Sequence, residues 1–146
     1  MKIIKSYNTF VYESIRNLMK GKSKEEIMDA PGRNDAIFKR SKKSIGGTFL
    51  CGHVDVSYDD LVSLFGEPEI CAFGGDPIFD DEDKIVDYIE WDLVNDLGRV
   101  ASVYALDLYE YNFTKNNISE INYKFHIGAN DKSIADDLIK FINLNI

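Results

Sequence analysis

The apolar positions of this chain repeat with two different periods, and the change of period divides the sequence. Val11, Ile15, Leu18 and Met19 recur at three- and four-residue spacing, which marks one face of a helix. Gly21 stands where that helix would stop. Ser23 followed by Glu26 has the form of a capping box and predicts a short second helix through Ile27 and Met28. Pro31-Gly32 breaks the pattern. From Arg33 to Ser44 little apolar periodicity is visible, so this stretch is expected to be a mobile linker.

Beyond Gly46-Gly47 the spacing turns to that of strands. Thr48 to Val56 predicts a strand, and Ser57 with Asp60 caps a helix over Tyr58 to Phe65. Gly66-Glu67-Pro68 ends that helix, since glycine supplies a left-handed turn and proline forbids continuation. Glu69 to Phe73 is a short strand, followed by a loop through Gly74-Gly75-Asp76-Pro77 and Asp80-Asp81-Glu82-Asp83. Lys84 to Val94 puts Ile85, Ile89, Trp91 and Leu93 on one face, with Asp87 intruding. Arg99 to Tyr109 separates Val100, Tyr104, Leu106 and Leu108 from Ala101, Val103 and Ala105. Asn95-Asp96-Leu97-Gly98 joins these two strands as a hairpin loop. After a polar loop from Asn112 to Glu120, Asn122 to Ile127 forms a further strand. A last helix, from near Asp131 or Ser133, aligns Ile134, Leu138, Phe141 and Ile142.

Strands joined by hairpins, with helices early and late, predict an α+β fold. An antiparallel sheet of about five strands is covered on one face by a short helix and the C-terminal helix, with a helical, basic N-terminal arm. The expected division is an arm and linker over 1–45 and an α+β domain over 46–146. Long strands such as Arg99 to Tyr109 must hide their edges, which makes self-association an expectation.

Charge sharpens this division. The net charge is −8. Residues 1–47 carry eleven Lys/Arg against five Asp/Glu, whereas residues 48–146 carry six against twenty. An acidic body repels nucleic acid over most of its surface while a basic arm could attract it, or could dock on the body itself. No run approaches the roughly 20 apolar residues of a membrane span, and Met1-Lys2-Ile3-Ile4-Lys5 lacks a signal-peptide core. With only Cys51 and Cys71, no disulfide scaffold is expected. A cytoplasmic setting with reduced thiols follows, with no membrane partner.

One set of segments has a familiar order: Phe65-Gly66-Glu67-Pro68, Glu90-Trp91, Gly98-Arg99-Val100-Ala101-Ser102-Val103-Tyr104 and Phe125-His126-Ile127-Gly128. It resembles a family of small uncharacterised proteins of bacteriophages and large DNA viruses, over about 100 residues from Thr48 onwards. Phe125 stands where that family usually has Trp, and Ala129 replaces a second Gly. The resemblance implies a viral origin, with the host cytoplasm as its setting, and carries over no catalytic residue.

Candidate chemistry is sparse. Cys51, His53, Cys71 and His126 are the soft ligands available to zinc, but Cys71 and His126 lack the tight paired spacing of a tetrahedral site. Cys51 or Cys71 with His126 and Asp131 could form a nucleophile–base–acid set, without a nucleophile elbow to support it. Glu90 and Asp92 share one face of a strand and are expected at a solvated surface. Asp76 and Asp80 to Asp83 lack the spacing of a calcium loop. No metal site and no cofactor are therefore assigned.

The turn after Phe125 could present free N–H groups to an anion, or be an ordinary strand-to-helix turn capped by Asn or Asp. It makes His126, Gly128 and Asn130 ligand-binding candidates, together with Trp91 from the aromatic-rich sheet. Arg33, Lys39, Arg40, Lys42 and Lys43 are the nucleic-acid-binding candidates. The expected function is non-catalytic binding by a viral accessory protein, to a protein partner, to itself or to a small host ligand, possible countering of host defence included. The alternatives are nucleic-acid association through residues 33–43 and a small hydrolase using His126.

Overall fold

The computed structural model describes residues 23–43 and 45–146. The helix expected around Val11 to Met19 lies outside the described residues. The chain divides into two compact units, Met1–Ala30 and Pro31–Ile146. In the first, helix α1 (Lys24–Asp29) begins at Ser23, whose hydroxyl accepts a hydrogen bond from the Glu26 amide at 3.2 Å.

The second unit is built on a six-stranded sheet. Its strands are β1 (Phe38–Arg40), β2 (Phe49–Val54), β3 (Glu69–Ala72), β4 (Val86–Asn95), β5 (Val100–Ala105) and β6 (Phe125–Ala129). Every pairing is antiparallel. The order runs β1-β4-β5-β6-β2, and β3 also pairs with β4. Helix α2 (Tyr58–Phe65) and helix α3 (Lys132–Leu144) supply the expected cover. The α+β class, the antiparallel sheet and the C-terminal helix thus follow the sequence pattern.

Alternation explains which face is covered. Ile89, Trp91 and Leu93 of β4, Ala101, Val103 and Ala105 of β5, and Phe125, Ile127 and Ala129 of β6 are all fully buried. On the helix side Leu61, Phe65, Leu138 and Ile142 are buried. Removing apolar surface of this extent from water is the main favourable term in folding. Phe141 of α3 meets Phe65 of α2 at 6.1 Å and Phe38 of β1 at 5.9 Å, which locks both helices and the short strand together.

Local signals set the element ends. Ser57 and Asp60 form a reciprocal capping box at the start of α2, and Gly66 ends it with a φ of 82°. In the β4–β5 hairpin, Asn95 Oδ1 accepts from the amides of Leu97 at 2.9 Å and Arg99 at 2.8 Å. Strand β5 stops at Ala105, short of the expected Tyr109. Asp107 takes a left-handed φ of 55°, and a single 3-10 turn over Leu108–Tyr111 tucks Leu108 into the core.

The expected mobile linker is overturned. Phe38–Arg40 pairs with Leu93 to Asn95, and Phe38 is buried. Arg33 binds Asp96 at 2.7 Å and Asp137 at 3.4 Å. Lys140 donates to Gly32 O at 2.8 Å and Asn34 Oδ1 at 2.9 Å. Gly32 approaches α3 so closely that a Cβ there would lie 2.7 Å from Asp136 O. The boundary expected at 45/46 therefore falls at Ala30/Pro31 instead, because residues 31–45 supply an edge strand and ion pairs to the body. The edge argument for self-association also changes: β5 lies between β4 and β6, so both its edges are paired.

Candidate functional site

The face of the sheet turned away from α2 and α3 carries the chemistry. From Tyr88 to Val94 the even-numbered side chains of β4 point away from the helices, and the register aligns them with the neighbouring strands. Glu69 stands opposite Glu90, Glu90 opposite Tyr104, Tyr104 opposite His126, and His126 opposite His53. One transverse row of five polar or titratable side chains thus crosses β3, β4, β5, β6 and β2. In the next row Asp92 stands opposite Ser102, and Ser102 opposite Gly128.

At the β3–β4 end of these rows three carboxylates converge. Glu69, Glu90 and Asp92 each offer an oxygen, and the three oxygens lie within 4.8 Å of one another. The expectation that Glu90 and Asp92 sit at a solvated surface is overturned for Asp92, which is only 8% exposed. The chain around Ile45 shields it, since the Ile45 amide donates to Asp92 Oδ2 across a long 3.5 Å. Among the described residues Asp92 Oδ1 is buried with no hydrogen-bond partner. A buried acceptor without a donor costs on the order of 1–3 kcal/mol, and more when charged. Burial raises the affinity of Asp92 for a proton, and the Glu69 charge adds to this; the Arg40 charge opposes it. Burial likewise pushes Glu90 up, with the charges of Asp92 and Glu69 adding to it.

At the other end of the row, His126 Nε2 and the Tyr123 hydroxyl lie 2.9 Å apart, while His126 Nδ1 is buried without a partner among the described residues. His53, Tyr104 and Tyr123 pack around the ring edge-on, at 4.8, 5.2 and 5.6 Å. Burial, and then the neighbouring His53, hold His126 below the usual imidazole range. Among the described residues no serine or cysteine is hydrogen-bonded to either histidine. Cys51 Sγ contacts Ala129 O at 3.6 Å, and burial with nearby carboxylates pushes the Cys71 thiol up, away from the nucleophilic thiolate. The four soft zinc candidates do not converge. Cys71 on β3 is three strand spacings from His126 on β6, roughly 14 Å at about 4.8 Å per strand.

Beside β3 opens a cavity of about 810 Å³. Its floor is apolar, formed by Val62 of α2, Ile70 of β3, and Ile78 and Ile118 from flanking loops. Its rim is acidic: Asp59, Glu67, Glu69 and Asp80 face it, against the single ammonium of Lys115, which donates to Phe79 O. The Tyr58 hydroxyl donates to Glu67 Oε2 at 3.2 Å, and burial with the Glu67 charge pushes that phenol well above its usual range. Glu69 belongs both to this rim and to the carboxylate cluster.

The residues expected from sequence are dispersed. Trp91 is fully buried, packs against Tyr58 and Phe125, and donates its Nε1–H to Gly66 O at 2.7 Å. It is a core residue because odd positions of β4 face the helices, so it lines no ligand site. Gly128 lies buried against Ser102 and Thr48. Asn130 is exposed at the end of β6. The α3 N-terminus is satisfied internally, with Asp131 Oδ1 accepting from the Ile134 amide at 3.0 Å, as an ordinary capped turn requires. Of the basic candidates, Arg33 is ion-paired and Arg40 donates to Phe65 O and Glu67 O, whereas Lys39, Lys42 and Lys43 are exposed.

Sequence reasoning missed Glu69 and undervalued Asp92. The available signal was the segment Ile89-Glu90-Trp91-Asp92-Leu93, two acids alternating with the bulkiest apolar residues of the sheet. No protein-family model, curated protein or solved structure matches the chain. Among the described residues no helix is long and apolar enough to cross a membrane.

Proposed function

We propose that this protein is a non-catalytic binding protein whose ligand is a small organic cation with an apolar body, held in the cavity beside β3. The observation that carries the reading is the pairing of an apolar floor with a rim of four carboxylates and one engaged lysine. Its volume lies within the roughly 300–1,000 Å³ range of small-molecule sites. An amine or guanidinium group would meet the rim while its hydrocarbon part displaced water from Ile70, Ile78 and Ile118. The raised thiol of Cys71 and the absence, among the described residues, of a serine or cysteine hydrogen-bonded to a histidine favour binding over hydrolysis. The viral setting implied by the resemblance is compatible with a sequestering role.

Calorimetric titration with matched aryl-alkyl amines, alcohols and carboxylates tests this. Amines should bind, and the doubly substituted Asp59→Asn, Asp80→Asn protein should lose affinity by about tenfold, as expected for partly screened charges. Equal binding of the alcohols, or binding by none of the three series, would reject the reading.

A further inference from the structure

Three negative groups converge where the fold supplies little to neutralise them. Glu69, Glu90 and Asp92 come from two rigid, paired strands, so their approach is fixed by register rather than by a flexible loop. Asp92 adds a separate observation: its Oδ1 is buried, without a partner among the described residues, on a residue more than nine-tenths removed from solvent. Among the described residues Arg40 is the cation acting on it, and its Nη1 donates to Phe65 O and Glu67 O while its buried Nε bonds no carboxylate. Three carboxylates against one guanidinium leave excess negative charge around an Asp92 oxygen that is itself shut off from water.

We propose that Glu69, Glu90 and Asp92 bind a hard divalent cation of the calcium or manganese class. Hard cations take carboxylate oxygens at about 2.3–2.6 Å for calcium, which sets opposite ligands about 4.6–5.2 Å apart. Oxygens lying within 4.8 Å of one another fit a single coordination sphere of that size. The donor set is all oxygen, since Tyr104 separates Glu90 from His126 along the row, and such a set favours hard over thiophilic metals. Glu69 and Glu90 keep access to solvent, so the remaining positions would be filled by water. The bound dication satisfies Asp92 Oδ1 and offsets the mutual repulsion of three carboxylates held together by strand register. The inference goes beyond the cavity reading and shares only Glu69 with it.

The 146-residue chain, stripped with EDTA, is titrated with Mn²⁺ while the free ion is followed by electron paramagnetic resonance. Ca²⁺ and Mg²⁺ serve as competitors, and thermal unfolding is recorded in parallel. One Mn²⁺ should bind per chain, raising the unfolding temperature and yielding to Ca²⁺. Asp92→Asn and Glu90→Gln should each weaken binding by at least about tenfold, while unfolding in EDTA at or above the wild-type temperature. Asp81→Asn combined with Asp83→Asn, in the exposed acidic loop, should leave binding unchanged. Absence of binding at millimolar Mn²⁺, a loss below tenfold in Asp92→Asn, or loss in the loop variant instead would each overturn the site. Because neither Asp92 nor Glu90 lines the cavity, amine binding by these variants reports on the two readings separately.

Discussion

Asp92 and Gly128 show how much can rest on one side chain, or on the lack of one. A Cβ on Gly128 would lie 2.6 Å from Ser102 Oγ and 3.2 Å from Thr48 Oγ1 and Tyr104 Cε1. Gly128→Ala should therefore cost about 1–3 kcal/mol, the usual penalty for overpacking. The nearest clash is with a hydroxyl that has no partner among the described residues, so adding Ser102→Ala should restore much of the loss. Urea unfolding of the two single variants and the double variant checks this, and strict additivity would show that the contact is not the cause. Trp91 illustrates the opposite case, an aromatic whose polar atom serves packing. Trp91→Phe keeps a ring in the core but orphans Gly66 O, and should lower stability by about 1–2 kcal/mol in the same assay.

At the scale of elements, β1 was the least legible and α2 the most. The Ser57/Asp60 box and Gly66-Glu67-Pro68 state the limits of α2 in local chemistry, which needs no knowledge of the rest of the chain. Strand β1 has three residues, two of them basic, and only Phe38 reaches the core. A single buried residue in a polar stretch has no period, so nothing local distinguished it from a linker. Phe38→Ala should cost about 3 kcal/mol, in line with other buried phenylalanines. A chain begun at Gly46, lacking both β1 and Arg33, should fall further still. An unchanged urea midpoint for that chain would mean that β1 contributes nothing to the body.

For the molecule as a whole, four acids whose proton affinity the fold changes form two pairs that respond to pH in opposite senses. Asp96 is held at about 2 by Arg33, and Asp131 is lowered by its hydrogen bonds to Ser133 and Ile134. Their contribution is present above the unfolded carboxylate range, near 3.9, and is lost as pH falls through their folded values. Glu90 and Asp92 are raised, so the folded state binds their protons more readily than the unfolded chain does. Their contribution is present at low pH and is lost as pH rises through their folded values. In EDTA, stability should therefore peak on the acid side of neutrality, and Asp92→Asn should flatten the decline towards pH 7. A thermal-unfolding profile of the variant that falls as steeply as wild type above its maximum would place the decline elsewhere.

The sequence alone determined what depends on neighbours along the chain. Periodicity, caps and the Asn95–Gly98 turn fixed the α+β class, the helices α2 and α3, the β4–β5 hairpin and the apolar face that the helices cover, because each of these is decided within about ten residues. Only the tertiary structure decided which strands meet and in what register. That pairing set Glu69 beside Glu90, closed Asp92 beneath the chain near Ile45, drew Phe38 to the edge of β4 and left the cavity beside β3. An acid in a strand has the same local pattern whether water or two further acids face it, and its partners lie up to about fifty residues away. The charge of this site is therefore written in the sequence, but its concentration at one place is a property of the folded sheet.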